Sequence, residues 1–453
     1  MGLSLAFAIA GLIRVLDEGP QSYYLGGWPP PFGIEYVLDH LSGFMAVVVA
    51  GIAFLALAYS RRSIIFEAPG KFSAFYGVAM LLVSGLLGIV LTGDLFNLYV
   101  FLEISSLSAY ALLSVGNRQA PFAAFRYIIM GTIGGTFYLL GVGYLYFHTG
   151  TLNMVDMAAR LSELGTDSRA VVAAAGFITI GLGLKMALFP LHMWLPDAYT
   201  SGSSASVGLI APIMTKVAAY SLIRVLFGVF GADYVAGQIP LTTLIGWLAA
   251  VGIIWGSVMA IAQKDFRRML AYSSVSQVAY IGLGIGLGNP LALIGALLQV
   301  LSHAATKACL FLVAGGIRHR TGTDRIPNFV GLGRIMPWTM MATAVAALSM
   351  IGLPPTSGFF VKWYLVLGSI EAENWPFVAV VILSGLLNAV YFFRVLEKAY
   401  LEVPEFEIER SRPELPRSML WPILALAAII LVAGVANFIL VDRILEAAVP
   451  AGL

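Results

Sequence analysis

Long apolar runs, each closed by a short polar stretch, recur along the whole chain. A run of about 17 to 25 apolar residues can cross the hydrocarbon core of a membrane as a helix. Such runs lie near 2–16 (short), 41–59, 73–92, 95–115, 126–149, 170–189, 205–229, 240–262, 272–288, 291–316, 339–370, 376–396 and 418–441. The pattern predicts an all-α polytopic membrane protein of about thirteen spans, a single transmembrane domain over 1–453. Two runs are interrupted from within. GLGLKMALFPLHMWLPDAY holds Pro190 and Pro196, and SMIGLPPTSGFFVKWYLV holds Pro354, Pro355 and Gly358. Proline removes a backbone donor and clashes with the preceding turn, so each run is expected to be a discontinuous helix whose freed carbonyls need other partners. Each break has a lysine nearby, Lys185 before the first and Lys362 after the second. Interrupted spans in corresponding halves of a chain point to an inverted-repeat transporter and its ion path.

Composition adds a class and removes others. With 59% hydrophobic and 11% charged residues and a mean hydropathy of +0.89, the chain lies outside the range of a soluble domain. The net charge of +2 argues for no nucleic-acid partner. Charge acts here through its position. Connections 60–72, 116–126, 263–271, 317–338 and 394–417, with their helix ends, carry seventeen of the basic residues, whereas Arg14, Arg160, Arg169 and Arg443, with Arg224 at a helix end, fall on the other side. Basic loops stay in the cytoplasm, so the amino terminus is expected there and the carboxyl terminus outside. Residues 1–16 lack a basic start and a cleavage site, and read as the end of a membrane helix rather than a signal. The single cysteine, Cys309, has no second thiol for a disulfide or cluster, so no metal or cofactor is expected and any redox centre belongs to a partner.

The candidate chemistry lies in ionisable groups inside the spans. Four of seven lysines, Lys185, Lys216, Lys307 and Lys362, sit in apolar segments, whereas eighteen of nineteen arginines sit in or beside polar connections. Arginine keeps its proton in a protein and a desolvated lysine can release one, so this bias points to proton movement. Glu103 is the only carboxylate near the middle of a span. Inserting it costs at least ~2.5 kcal/mol, so it needs a pairing partner or a proton. It either pins two helices together or holds a lysine protonated until the pair opens. Lys216, midway along its span, cannot snorkel to either face, while Arg224 near a helix end can snorkel or pair. His303 and Lys307 are four apart and share one helix face, as a relay pair would. His192, between the prolines of the first break, is a lateral link or a cap for freed carbonyls. One glutamate cannot neutralise four lysines in a low-dielectric interior, so some are neutral at any moment and a proton can pass along the row. No Walker loop, soluble GxGxxG unit, HExxH or C-x-x-C-H motif is present. IGLGIGLGNP reads as close helix packing, and YYLGGWPPPF as an interfacial belt and turn.

Five motifs in order, LKMALFPLHMWLPDAY, the lysine of MTKVAAY, RRMLAYSSVSQVAYIGLG, LSHAATKACLFLVAGG and LPPTSGFFVKW, resemble the antiporter-like membrane subunits shared by respiratory complex I, Mrp-type cation/proton antiporters and membrane-bound hydrogenases. The likeness runs over nearly the whole chain. GGWPPPFGIEYVLD and FYLLGVGYLYFHTGTLNMVDMA look most like the D-type subunit of the Mrp antiporter or its hydrogenase counterpart. The resemblance implies two inverted five-helix repeats, here 73–229 and 240–396, followed by a helix at 418–441. It also implies Glu103 and Lys185 as a modulating ion pair, Lys216 as the connecting lysine, His303 and Lys307 as the second-half relay, and Lys362 as the terminal lysine. Lysine rather than glutamate at Lys362 fits the Mrp type better. Members usually have fourteen helices, so an initial helix is expected to be missing, through a misplaced start or a natural loss. TSGSSASVGLIAPIMTK departs from the family's usual sequence before Lys216.

The expected function is that of a proton-conducting subunit of a multisubunit complex in a prokaryotic inner or plasma membrane. The expected partners are other membrane subunits, the lipid bilayer and protons, with sodium as the candidate exchanged cation. The alternative is a pumping subunit of an NADH-quinone oxidoreductase-like or hydrogenase complex. A stand-alone solute carrier predicts activity of the chain alone, and a scaffold role predicts that methionine can replace the lysines.

Overall fold

The structure, a computed structural model, describes residues 1–166, 168–402, 414–450 and 452–453. Helix α1 (Gly2–Glu18) leads to a hairpin of β1 (Gln21–Tyr24) and β2 (Glu35–Leu38), antiparallel with Gln21 opposite Leu38 and Tyr24 opposite Glu35. The long helices follow: α2 (His40–Glu67), α3 (Phe72–Leu91), α4 (Leu95–Leu113) and α5 (Ala120–Thr149), then a short surface helix α6 (Met154–Leu164). Next come α7 (Arg169–Met186), α8 (Leu195–Ser201), α9 (Ser204–Phe230), α10 (Leu241–Ile261), α11 (Phe266–Leu287) and α12 (Pro290–Thr321). After a turn of helix, α13 (Leu332–Ile335), come α14 (Pro337–Ile351), α15 (Ser357–Glu371), α16 (Trp375–Tyr400) and α17 (Arg417–Val435), followed by short helical turns between Asn437 and Ala448.

All thirteen expected segments are helical, and eleven of the described helices are long and apolar enough to span a membrane. The other two segments are α1 and the expected 339–370 run, which divides into α14 and α15. The ends are set by side chains. Asp39, Asp94, Asn153, Ser168, Ser203, Asp265 and Asn289 each accept a backbone N–H at the start of a helix, which satisfies donors the first turn leaves free. Gly150, Gly288, Gly322 and Gly352 take the left-handed conformation at helix ends.

Three details differ from the sequence reading. The expected connection 263–271 is largely helical, because α11 begins at Phe266 and buries Arg267 to 2% exposure. Arg267 tolerates this by pairing with Asp324 at 3.5 Å and donating to the Gly202 carbonyl at 3.1 Å and to Ser204. The YYLGGWPPPF stretch makes the turn of a strand hairpin with Trp28 and Phe32 exposed. The expected helix 418–441 is interrupted at Ala436, just after Gly434 lies against the Pro355 carbonyl, and helical turns resume over Asn437–Leu440 and Val441–Leu445. Arg410 and Arg412 of the 394–417 connection lie outside the described residues.

Burial ranks the helices from the centre outward. Helices α9 and α12 are buried almost throughout and pack on each other, α2 and α11 nearly so, and α3, α5, α16 and α17 keep an apolar outer face. The glycine run supports this packing as expected: a Cβ at Gly286 would stand 2.3 Å from the Cα of Gly246 on α10. On one side of the bundle the basic connections interlock. Arg126 and Arg268 reach Asp197 at 2.6 and 3.6 Å, Arg318 reaches Asp324 at 3.5 Å, and Arg394 donates to the Ile261 and Gln263 carbonyls.

Candidate functional site

The first break follows Met186, three residues before Pro190. Ala187 adopts φ 64°, the turn carries Pro190 and His192, and Pro196 sits in the first turn of α8, where its missing N–H costs no intrahelical bond. The Leu184 carbonyl at this break is capped by the Trp194 indole at 3.0 Å. That carbonyl is thus taken by Trp194, whereas His192 stacks on Phe189 at 5.3 Å and lies against the Pro190 backbone in the turn.

Lys185, at the end of α7, points into the bundle. Its Nζ donates to Ser106 Oγ at 2.7 Å, to Glu103 Oε1 at 3.4 Å and to the Tyr110 hydroxyl at 3.5 Å, all on α4. The lysine is buried, but Glu103 keeps 25% of its side chain exposed. A Cβ at Gly135 of α5 would lie 2.3 Å from Glu103 Oε1, so that glycine makes room for the carboxylate.

Ring surfaces separate Lys185 from the next amine. Tyr110 meets Tyr127 edge-on at 4.6 Å, and Tyr127 stacks on Trp194 at 3.9 Å and donates to Met214 Sδ at 3.3 Å. Two residues on, Lys216 is buried and donates to the Ala211 carbonyl of its own helix at 2.9 Å, beside the in-helix Pro212. Lys216 on α9 and His303 and Lys307 on α12 are all buried, on two helices that pack against each other. Both ring nitrogens of His303 lack a protein partner. Lys307 donates to the Leu270 carbonyl at 2.8 Å and to Ser273 Oγ on α11.

The second break spans Gly352–Thr356, with φ 91° at Gly352 and Pro354 and Pro355 in the turn. Gly358, in the first turn of α15, allows that helix onto α14: a Cβ there would stand 1.9 Å from the Ser349 carbonyl oxygen. Lys362 folds back onto the break and donates to the carbonyls of Ile351 and of Met350, the latter at 3.4 Å. A small polar cavity of about 10 Å³, room for about one water, lies beside it, lined by Gln277, Tyr280, Gln299, Ser302, Thr306, Ser349 and Lys362 among others. It reaches from the turn of α12 that carries Lys307 to Lys362. Ser357 donates to Ser302 at 2.8 Å, and Gln299 to Gln277 Oε1 at 2.8 Å.

The four amines thus have different partners. Lys185 has a carboxylate, whereas Lys216, Lys307 and Lys362 have carbonyl and hydroxyl oxygens. Two like charges ~10 Å apart at an effective dielectric of ~20 repel by about 1.7 kcal/mol. At such a separation, protonating one amine of a row biases its neighbour by more than tenfold, which is what transfer along a row requires. Buried polar atoms of Thr179, Tyr199, Thr215 and His303 have no protein hydrogen-bond partner, and buried water commonly serves such groups in proteins.

Residues 92–387 match the family described as NADH:quinone oxidoreductase/Mrp antiporter, TM. The chain belongs to this family. The "NADH-quinone oxidoreductase subunit N" of Desulforudis audaxviator (strain MP104C) is 52% identical over 98% of this chain and 91% of its own length. The D-type subunit of the Na(+)/H(+) antiporter of Alkalihalophilus pseudofirmus is 32% identical over 95% and 87%. A chain of the Mrp complex from Dietzia sp. DQ12-45-1b superposes with a TM-score of 0.89 at 25% identity, covering 100% of this chain and 91% of that one. The protein is a multi-pass membrane protein of a family whose relatives work in multisubunit assemblies.

Sequence reasoning missed Ser106 and Tyr110, which flank Lys185, and Ser273, Gln277, Gln299 and Asn388 in the second half. The available signal was an isolated amide in an otherwise apolar span, as at Gln299 and Asn388, and the serine-rich SSVSQ of α11.

Proposed function

We propose that this protein is a proton-translocating, antiporter-like subunit of a multisubunit monovalent cation/proton antiporter, exchanging sodium in the first reading. Protons move along Glu103, Lys185, Lys216, His303, Lys307 and Lys362, with His192 as a lateral link. Residues 73–229 and 240–396 act as two inverted repeats, each with a broken helix beside its lysine. The observation that carries the reading is the set of buried amines: one is paired with the only mid-span carboxylate and three are held by uncharged oxygens. The three held by uncharged oxygens can exchange protons without leaving an unpaired carboxylate behind. Proton flux in inverted vesicles carrying the whole complex tests it, with Glu103→Ala and Lys362→Ala compared after assembly is verified. Loss of flux in both is expected, and full flux in both makes the charges structural and overturns the relay.

The 52% identity with a protein named as a subunit of an NADH-quinone oxidoreductase supports a second reading, a pumping subunit of a redox-driven complex. The driving force separates the two. Flux that follows an imposed sodium gradient without electron donor supports the antiporter, and flux that requires quinone reduction supports the redox complex.

A further inference from the structure

Helix α16 carries a polar stripe that the relay does not use: Ser384, Asn388 and Tyr391, all fully buried and spaced four and three apart. Asn388 is its centre. Its amide nitrogen donates to the Met350 carbonyl at 2.9 Å, and its oxygen accepts from the Tyr391 hydroxyl at 2.9 Å and from Ser257 of α10 at 3.4 Å. The orientation follows from chemistry. A backbone carbonyl can only accept, so the NH₂ end must face Met350 and the carbonyl end must face the two hydroxyls. Met350 is one of the two carbonyls at the break to which Lys362 donates. Asn388 and Lys362 therefore share one acceptor. Helix α16 also approaches closely here: a Cβ at Gly385 would lie 3.3 Å from Lys362 Nζ.

We infer that Asn388 is a positioning residue for Lys362: by occupying the Met350 carbonyl it limits the acceptors open to the ammonium and thereby sets the pH range in which Lys362 passes its proton on. The inference rests on the relay reading of Lys362. Tyr391 fixes the amide, and it also lies beside Ser273, the serine to which Lys307 donates. One face of α16 thus touches the surroundings of both second-half lysines. The ionisable group facing Lys362 is Tyr280 of α11, whose ring centre is 5.9 Å from Nζ; Tyr391 of α16 reaches Asn388, and His303 and Lys307 lie on α12, which packs on α15. Helix α14 has no ionisable residue, and the one on α17, Arg417, stands at its first position.

The test is the pH profile of proton flux in vesicles carrying the whole complex, for the native protein, Asn388→Ala, Tyr391→Phe and Lys362→Ala. Removing the amide gives Lys362 sole use of Met350, which favours the protonated amine. In Asn388→Ala the pH of half-maximal flux is expected to rise by about one unit, a tenfold change in proton affinity. In Tyr391→Phe, which removes a single oxygen and leaves the packing intact, it is expected to rise by less. A merely structural role scales the amplitude with the amount of assembled complex and leaves the midpoint in place. An Asn388→Ala profile that superimposes on the native one while Lys362→Ala abolishes flux overturns the inference and leaves the relay standing. Full flux in Lys362→Ala overturns both. Should Asn388→Ala fail to assemble, Tyr391→Phe decides alone, an unmoved midpoint being the overturning result.

Discussion

Lys185 has a stronger neighbour than the carboxylate the sequence pairs it with. Ser106 Oγ lies 2.7 Å from the ammonium and Glu103 Oε1 at 3.4 Å, and the carboxylate is partly exposed while the serine is not. A hydrogen bond to a charged group is worth about 1.5–3 kcal/mol, and a partly exposed ion pair returns less. Ser106→Ala is therefore expected to weaken the protonated state of Lys185 and move the half-maximal pH of proton flux down by about one unit, without the loss of flux expected of Glu103→Ala. Ser105→Ala is the control. Ser105 is equally buried, but its hydroxyl serves only the Leu102 carbonyl of its own helix, so a native profile is expected. Equal behaviour of the two serines would remove Ser106 from the site.

The broken helices were legible because two constraints coincide in the sequence: proline cannot continue a helix, and a lysine in lipid has to find oxygen. At the second break both are met by one contact, Lys362 on the carbonyls at the end of α14. Which ring takes the Leu184 carbonyl was not legible, since an indole and an imidazole two residues apart are equally able to reach a carbonyl, and only the path of the turn gives it to Trp194. Nor was the lining around Lys307, because single serines and amides in an apolar span look the same whether they fill space or face a cavity. Arg267 looked like a loop residue for the same reason, its partners Asp324 and Ser204 being distant in sequence. Helix α2 shows how an end can be tied across the bundle. Asp39 caps its first turn and pairs with Arg224 of α9 at 2.5 Å. Burial pushes the Asp39 carboxyl up, but the Arg224 guanidinium and the Ser42 bonds outweigh it and hold the group below the usual 3.8. A depressed carboxyl contributes stability above its unfolded value that is lost as pH falls through the folded one. Asn caps as well as Asp, so Asp39→Asn isolates the ion pair. It is expected to cost about 2 kcal/mol at pH 7, read as a lower thermal midpoint in detergent, and the gap to the native protein should begin to narrow near pH 3.8 and close as the pH falls through the lower folded value. A gap that persists in acid would assign the loss to packing.

On the scale of the whole molecule, α4 presents Phe96, Val100, Glu103 and Leu107 outward, a stripe at helical spacing that is apolar except for one carboxylate. A single charge on a lipid-facing surface at mid-membrane is costly. The same face becomes favourable once a neighbouring subunit covers it and brings a polar or basic group to Glu103. The chain's relatives work in multisubunit assemblies, and this stripe is where the physics most requires a neighbour. An opposite charge from that neighbour would compete with Lys185 for Glu103, so docking and the first proton step are linked energetically, and by reciprocity the state of Lys185 alters how tightly the neighbour sits. Leu107, one turn from Glu103 and 62% exposed, allows a test with little disturbance. A Leu107→Cys variant, labelled in membranes with a lipid-soluble thiol reagent, is expected to react when this chain is expressed alone and to be protected several-fold in the whole complex. The buried Cys309 serves as an internal blank in both. Tyr146 and Phe147, exposed near the end of α5, supply the comparison: if Phe147→Cys is protected as strongly as Leu107→Cys, the covering is general, and the stripe around Glu103 has no special claim to the neighbour.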